Sequence, residues 1–268
     1  MARPPFLSKP GPWLVAHRGG SVIAPENTLV AFDRAVELGA DAIETDVHLT
    51  RDGVVVVFHD DETARLTGAA GTLEARTLAE VEALDPAWSF SLDGGRSFPF
   101  RGLGLKVPTL LEVLARYPAL RFNVDAKSAD PALAEALVHV VRQAGAVERV
   151  CLGSFFDAQA ERIGALLPGA ARYLPEQAAT CHVMAAMSGQ PAEGCPAGYQ
   201  LASLPHRLGE LVVATKPVVD HFHRLGMPVH VWTVDVEEDM RALLALGVDG
   251  LVTDRPDVLA RVLRRGLD

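Results

Sequence analysis

Cysteine is scarce in this 268-residue chain: Cys151, Cys181 and Cys195 are an odd number without CxxC spacing. That pattern argues against a disulfide framework and a cysteine zinc site, and it favours a reducing, cytoplasmic setting. Long apolar runs are missing too. No segment approaches the roughly 20 apolar residues of a membrane span, and prolines among the first twenty residues break the stretch that a signal peptide needs. No stable membrane anchor is expected. Basic blocks are absent, with 25 Lys+Arg against 34 Asp+Glu for a formal charge of −9, so nucleic acid is not an expected partner and an anion must be gripped locally. No GxGxxG turn follows the first apolar run, and neither a P-loop nor a GxSxG elbow occurs.

What is present is a rhythm of short β-branched runs and punctuated helical patterns, which means βα units. In residues 130–145, Asp130 can cap, Pro131 suits the first helical position, Leu133, Leu137, Val138 and Val141 share a face, and Gly145 closes the end. Residues 28–39, 216–226, 237–247 and 256–266 read alike, each ending in glycine. Strands are expected at 13–17, 42–48, 54–59, 121–126, 149–153, 171–174, 199–203, 229–233 and 250–253. The second and third are too close for a parallel crossover and should form a hairpin. Eight strands remain that can all be parallel, so an α/β fold of the (β/α)8 TIM-barrel type is expected ahead of an open doubly wound sheet. The Gly-, Asp-, Ser- and Phe-rich stretch 51–106 breaks the rhythm and reads as an insertion after the second barrel strand, within a single domain spanning 1–268.

The candidate chemistry sits at strand ends, where such a barrel builds its site. The first strand closes on His17-Arg18-Gly19-Gly20, a corner that suits a phosphate or, more plainly, a buried His beside a surface Arg. In the second strand, alternation puts Glu44, Asp46 and His48 on one face and Ile43 and Val47 on the other. Adjacent inward carboxylates repel and lose hydration, so they call for a hard divalent ion such as Mg²⁺ or Ca²⁺; the structural alternative is salt bridges to Arg18 and Lys127. His48, near the hairpin turn, reads as a solvated histidine. Hairpin pairing returns His59 beside Glu44, and Asp60 reads as a turn residue before an imidazole support. The next strand projects Asn123, Asp125 and Lys127 from one side, giving a third acid and a cation facing a phosphoryl oxygen. Trp232 reads as a pocket wall or a core filler, and Ser154 and Phe155 as core or loop residues at least as readily as substrate contacts. Two histidines, three carboxylates, an Arg and a Lys at one barrel mouth suit phosphodiester cleavage.

Taken in order, the segments AHRGG, APENTLVAF, GADAIETDVHLTRDGVVVVFHD, VPTLLEVL, FNVDAK, GMPVHVWTVD and GVDGLVTDRPD resemble the glycerophosphodiester phosphodiesterase family, across residues 15–257. The resemblance implies a TIM barrel, a divalent metal, and release of sn-glycerol 3-phosphate and an alcohol from a small-molecule glycerophosphodiester, with a glycerol hydroxyl attacking phosphorus first. By motif position, it implies that His17 and His59 are the acid/base pair. Arg18 and Lys127 become phosphate ligands, and Glu44, Asp46 and Asp125 metal ligands. One departure stands out: Asp125 occupies a position where the family usually has Glu, and a side chain one methylene shorter draws the carboxylate back by about 1.5 Å, against metal–oxygen distances of about 2.0–2.6 Å. Lysophospholipids are the alternative substrate class, needing an apolar channel for which Phe90, Phe98 and Phe100 are candidates if they are not the insertion's own small core. A non-catalytic barrel that binds glycerophosphodiesters is a further alternative.

Overall fold

The computed structural model describes residues 4–265, so Gly266, expected to close the last helix, lies outside the described residues. The chain runs β1 (Trp13–His17), α1 (Leu29–Glu37), β2 (Ala42–Leu49), β3 (Val55–Val57), α2 (Ala64–Thr67), α3 (Leu78–Glu82), α4 (Leu110–Arg116), β4 (Arg121–Ala126) and α5 (Pro131–Gln143). It continues through β5 (Val150–Gly153), α6 (Asp157–Leu166), β6 (Ala171–Arg172), α7 (Glu176–Ser188), β7 (Ala202–Pro205), β8 (Arg207–Leu208) and β9 (Leu211–Val212). The last units are α8 (Lys216–Arg224), β10 (Val229–Trp232), α9 (Glu237–Leu246), β11 (Gly250–Thr253) and α10 (Pro256–Arg265).

Capping chemistry sets the helix starts. Thr28 accepts from Ala31 N, Asp130 accepts from Ala132 N with Pro131 behind it, and Thr109 and Glu112 form a reciprocal capping box. Among the described residues, eight parallel strands stand in the order β6-β5-β4-β2-β1-β11-β10-β7, and a parallel bridge between Tyr173 and Leu201 joins the two ends. The sheet therefore curls into the expected barrel. β3 folds back antiparallel on β2 through Val47↔Val57 and Leu49↔Val55, as the hairpin reading requires.

Period-2 alternation divides each strand between two cores. Leu14, Ile43, Val47, Phe122 and Val124 face outward against the helices, in one cluster with Phe32, Leu133 and Leu137. Inward, Phe6, Leu7, Trp13, Val15, Ala42 and Val252 fill the lower end of the barrel. The charged residues of β2 and β4 continue those inward rows at the upper end, so an apolar plug supports the site from below.

Three expectations need correcting. The sixth barrel strand, β7, lies at Ala202–Pro205 rather than 199–203, because Leu201 forms only the single closing bridge and the ladder with β10 begins at Ala202. The small core in 51–106 is Val56, Phe58, Leu66, Leu73 and Val81 with Val107, not the Phe90, Phe98 and Phe100 group. Phe98 is instead covered by the Arg101 guanidinium, 3.7 Å from its ring centre. Finally, Cys181 and Cys195 form a disulfide with Cα atoms 5.7 Å apart, because the chain after α7 doubles back on it; Cys151 is buried and free. The cysteine pattern thus carries no argument for a reducing compartment. Among the described residues, no helix is long and apolar enough to cross a membrane.

Candidate active site

A cavity of about 370 Å³ at the upper end of the barrel is lined by His17, Arg18, Glu44, Asp46, His59, Asp125, Lys127 and Trp232 together. Every site residue expected from the sequence therefore reaches one space. A larger cavity, about 530 Å³, opens at the opposite end, but among the described residues its one ion pair is His223–Asp249, and Asp249 there also accepts from Val229 N. The convergence of charge is at the upper cavity.

Strand register explains the convergence. β1 and β2 pair His17 with Glu44, while β2 and β4 pair Glu44 with Asn123 and Asp46 with Asp125. Same-face positions on three neighbouring strands are thereby stacked side by side. Phe58 N donates to Asp46 O, which turns the chain so that His59 comes back over the acids.

Each imidazole is held at Nδ1 by a carboxylate. His17 Nδ1 is 2.8 Å from Asp254 Oδ1, and His59 Nδ1 is 2.6 Å from Asp60 Oδ1. That leaves Nε2 as the nitrogen of each ring not engaged by its carboxylate partner. His17 Nε2 stands 3.7 Å from Glu44 Oε2. Burial pulls the His17 pKa down, but the hydrogen bond to Asp254 and the Glu44 charge outweigh it, and the net direction is upward. Asp60, expected mainly as a turn residue, serves the imidazole directly, and Arg65 and His59 overcome burial to hold its carboxyl at about 2.

The salt-bridge alternative is realised for Asp46 and not for Glu44. Asp46 Oδ1 lies 2.9 Å from Lys127 Nζ, Asp46 Oδ2 lies 3.3 Å from Arg18 Nε, and Lys127 Nζ donates to Asp125 Oδ2 at 2.6 Å. Burial would raise the Asp46 pKa, yet Lys127 and Arg18 hold it below the usual carboxylate range. Glu44 has no such partner: burial and then the Asp46 charge push it up to about 7.

The unmet hydrogen-bonding capacity of the cavity has two signs. Glu44 Oε2 and Asn123 Oδ1 are buried acceptors without a donor, and Arg18 Nε is a buried donor without a well-formed acceptor. Hard oxygens lacking a partner suit a divalent cation, and an unspent guanidinium N–H suits a phosphate. Glu44, Asp46 and Asp125 thus have the donor chemistry for Mg²⁺ or Ca²⁺. Among the described residues, no three His, Cys, Asp or Glu side chains already converge as a metal-binding group, since Lys127 sits between two of the acids.

Several residues that contact the site escaped sequence reasoning. Glu26 accepts from Arg18 at 3.0 Å, Asn27 donates to Asp46 at 3.0 Å, and Arg65 reaches both Glu26 and Asp60. Arg18 and Asn27 both have positive φ, 52° and 56°, a strained backbone that clusters at functional sites. Gly19 (φ 86°) is required where it stands, since a Cβ there would meet the Ala31 Cβ at 2.7 Å. Only Asp254, an acid closing the last strand, carried a recognisable signal. His48 is corrected: it is fully buried rather than solvated, because segment 51–106 covers it, and its Nε2 lies 3.2 Å from His59 O. Ser154 and Phe155 both line the cavity; the Ser154 hydroxyl donates to Ala126 O, and Phe155 stands edge-on to Trp232 at 6.0 Å.

Residues 17–258 match the glycerophosphoryl diester phosphodiesterase family. The probable glycerophosphodiester phosphodiesterase 2 of Mycobacterium tuberculosis is 34% identical over 265 residues, covering 96% of this chain and 93% of its own. A glycerophosphodiester phosphodiesterase of Caldanaerobacter subterraneus is 32% identical over 259 residues, covering 94% and 98%. An Oleispira antarctica phosphodiesterase, solved in complex with the product sn-glycerol-3-phosphate, shares the fold with a TM-score of 0.75 at 24% identity, covering 95% of this chain and 97% of that one.

Proposed function

The chain belongs to the glycerophosphoryl diester phosphodiesterase family, and from that premise we propose that it hydrolyses glycerophosphodiesters to sn-glycerol 3-phosphate and an alcohol, with His17 and His59 as the acid/base pair. The enzyme class, a phosphodiesterase built on a TIM barrel, follows from the family itself. One observation carries the catalytic assignment: two imidazoles, each pinned at Nδ1 by a carboxylate, face a cavity that also holds Arg18 and Lys127.

In the first step, the glycerol 2-hydroxyl attacks phosphorus and gives its proton to His59 Nε2 as the new P–O bond forms. The P–O bond to the alcohol breaks, and that oxygen takes the proton of His17 Nε2. The raised pKa of His17 suits it to begin as the acid. Water then opens the cyclic phosphate with the roles exchanged, losing a proton to His17 while His59 returns one to the glycerol oxygen. Arg18 and Lys127 bear on the non-bridging oxygens, where negative charge grows. A divalent ion held by Glu44, Asp46 and Asp125, when bound, supplies further neutralisation of that charge.

Purified protein with glycerophosphocholine tests this. Thorough chelation should abolish turnover, and His17→Ala and His59→Ala should each lower kcat by about 10²–10⁴. Full rates in both variants would end the acid/base assignment.

Lysophospholipids form a second reading that one observation favours. Phe155, Leu174, Pro175, Leu208 and Trp232 also line the cavity, and Phe155 and Leu208 are 48% and 61% exposed. A hydrocarbon chain would find apolar contact there, and not at Phe90, Phe98 or Phe100, which are outside the cavity lining. Comparing a long-chain lysolipid with the deacylated diester separates the two substrates.

A further inference from the structure

The Asp125 carboxylate, on β4, is met from two strands away. Tyr173, the residue following β6, donates its hydroxyl to Asp125 Oδ1 at 2.6 Å. To do so its ring crosses β5 at Gly153, the register partner of Asp125, and a Cβ at that glycine would lie 2.2 Å from Tyr173 Cζ. The other oxygen, Oδ2, accepts from Lys127 Nζ at 2.6 Å, and Lys127 also reaches Asp46 at 2.9 Å. A row of four groups, Tyr173, Asp125, Lys127 and Asp46, thereby runs along the cavity wall, with the ammonium between the two acids.

We propose that Tyr173 is a positioning residue for catalysis: passing through the gap left by Gly153, it fixes the short Asp125 carboxylate and, through it, the Lys127 ammonium at the phosphate position. The shorter acid leaves room that the phenol fills. A Glu in its place would push its carboxylate into the position the Tyr173 hydroxyl occupies, so the Asp and the Tyr form a matched pair in this chain. The inference rests on the reading of this cavity as the phosphodiester site.

A buried tyrosine needs an acceptor whatever its purpose, so the test must separate positioning from packing. The full chain is compared with Tyr173→Phe, Asp125→Glu and the double variant. The readouts are kcat and KM on glycerophosphocholine, calorimetric affinity for sn-glycerol 3-phosphate, and divalent-ion affinity in the absence of substrate. Tyr173→Phe should lower kcat/KM about tenfold and weaken sn-glycerol 3-phosphate binding about fivefold while remaining folded. Asp125→Glu alone should lose at least about tenfold, and the double variant should recover most of both losses, because the longer acid replaces the removed hydroxyl. Gly153→Ala, which displaces the ring without touching its hydroxyl, should resemble Tyr173→Phe.

Tyr173→Phe values within about twofold of wild type, or single-variant losses that simply multiply in the double variant, would overturn the proposal. Failure of the wild type to cleave any glycerophosphodiester would instead defeat the functional reading. The coupling would then still be read from ligand and ion affinities, which need no turnover.

Discussion

His17, the last residue of β1, and Asp254, the residue following β11, are 237 positions apart in sequence and 2.8 Å apart at Nδ1 and Oδ1. Barrel closure makes this contact, since β1 pairs directly with β11. The carboxylate selects the Nδ1–H form of the ring and stabilises its charged state.

Asp254→Asn should therefore lower kcat by about 10²–10³ with little change in fold, through a wrongly oriented or wrongly tautomerised His17. Loss of the charge also lowers the His17 pKa, so the alkaline limb of the pH–rate profile should move to lower pH. A profile that stays in place while kcat falls would count against His17 as the acid.

Stability of the metal-free protein should fall as pH rises across neutrality. Glu44 is pushed up to about 7 from its ordinary 4.5, so the folded chain binds its proton more tightly; that contribution is present below about 4.5 and is lost as pH rises through about 7. His17, also raised, contributes below its ordinary 6.5 and loses that contribution as pH rises through its folded value. Both act in the same direction. Thermal midpoints in chelator from about pH 5 to 8 should decline, Glu44→Gln should flatten the slope, and added Mg²⁺ or Ca²⁺ should restore stability at the upper end.

Arg65 should matter to catalysis although it comes from the 51–106 segment. It bonds Glu26 at 2.8 and 2.9 Å and Asp60 at 2.5 and 2.9 Å, joining the support of Arg18 to that of His59. Arg65→Met frees both carboxylates to turn and should reduce kcat about tenfold, with Arg65→Lys intermediate, because an ammonium cannot reproduce the fork. Steady-state kinetics of the two variants decide it.

The Cys181–Cys195 bond closes a loop with a sequence separation of 14. On the chain-entropy account it stabilises the fold by about 3 kcal/mol, so the double serine variant, or reductant, should lower the urea midpoint while leaving KM unchanged. A midpoint insensitive to both would show that the bond restrains a segment already held by its packing.

Much of the fold was legible because local rules set it: Asp130 caps the helix it was read to cap, and alternation alone put Glu44 and Asp46 on a different face from Ile43 and Val47. The site was legible wherever its residues lie at consecutive same-face positions of one strand. Asn123, Asp125 and Lys127 needed only the period of two. His48 was misread because its strand pattern does not reveal that the following segment, 51–106, folds back over it.

The amino-acid sequence by itself determined the barrel, the hairpin that returns His59, and the charged set that faces the cavity, since propensity, periodicity and turn length act over a few residues. Tertiary structure alone decided the contacts that make that set work: Asp254 on His17, Arg65 between Glu26 and Asp60, and Tyr173 passing Gly153 to reach Asp125. Each joins groups brought together by strand order and closure, and a hydrogen bond between distant segments leaves no mark on the composition of either.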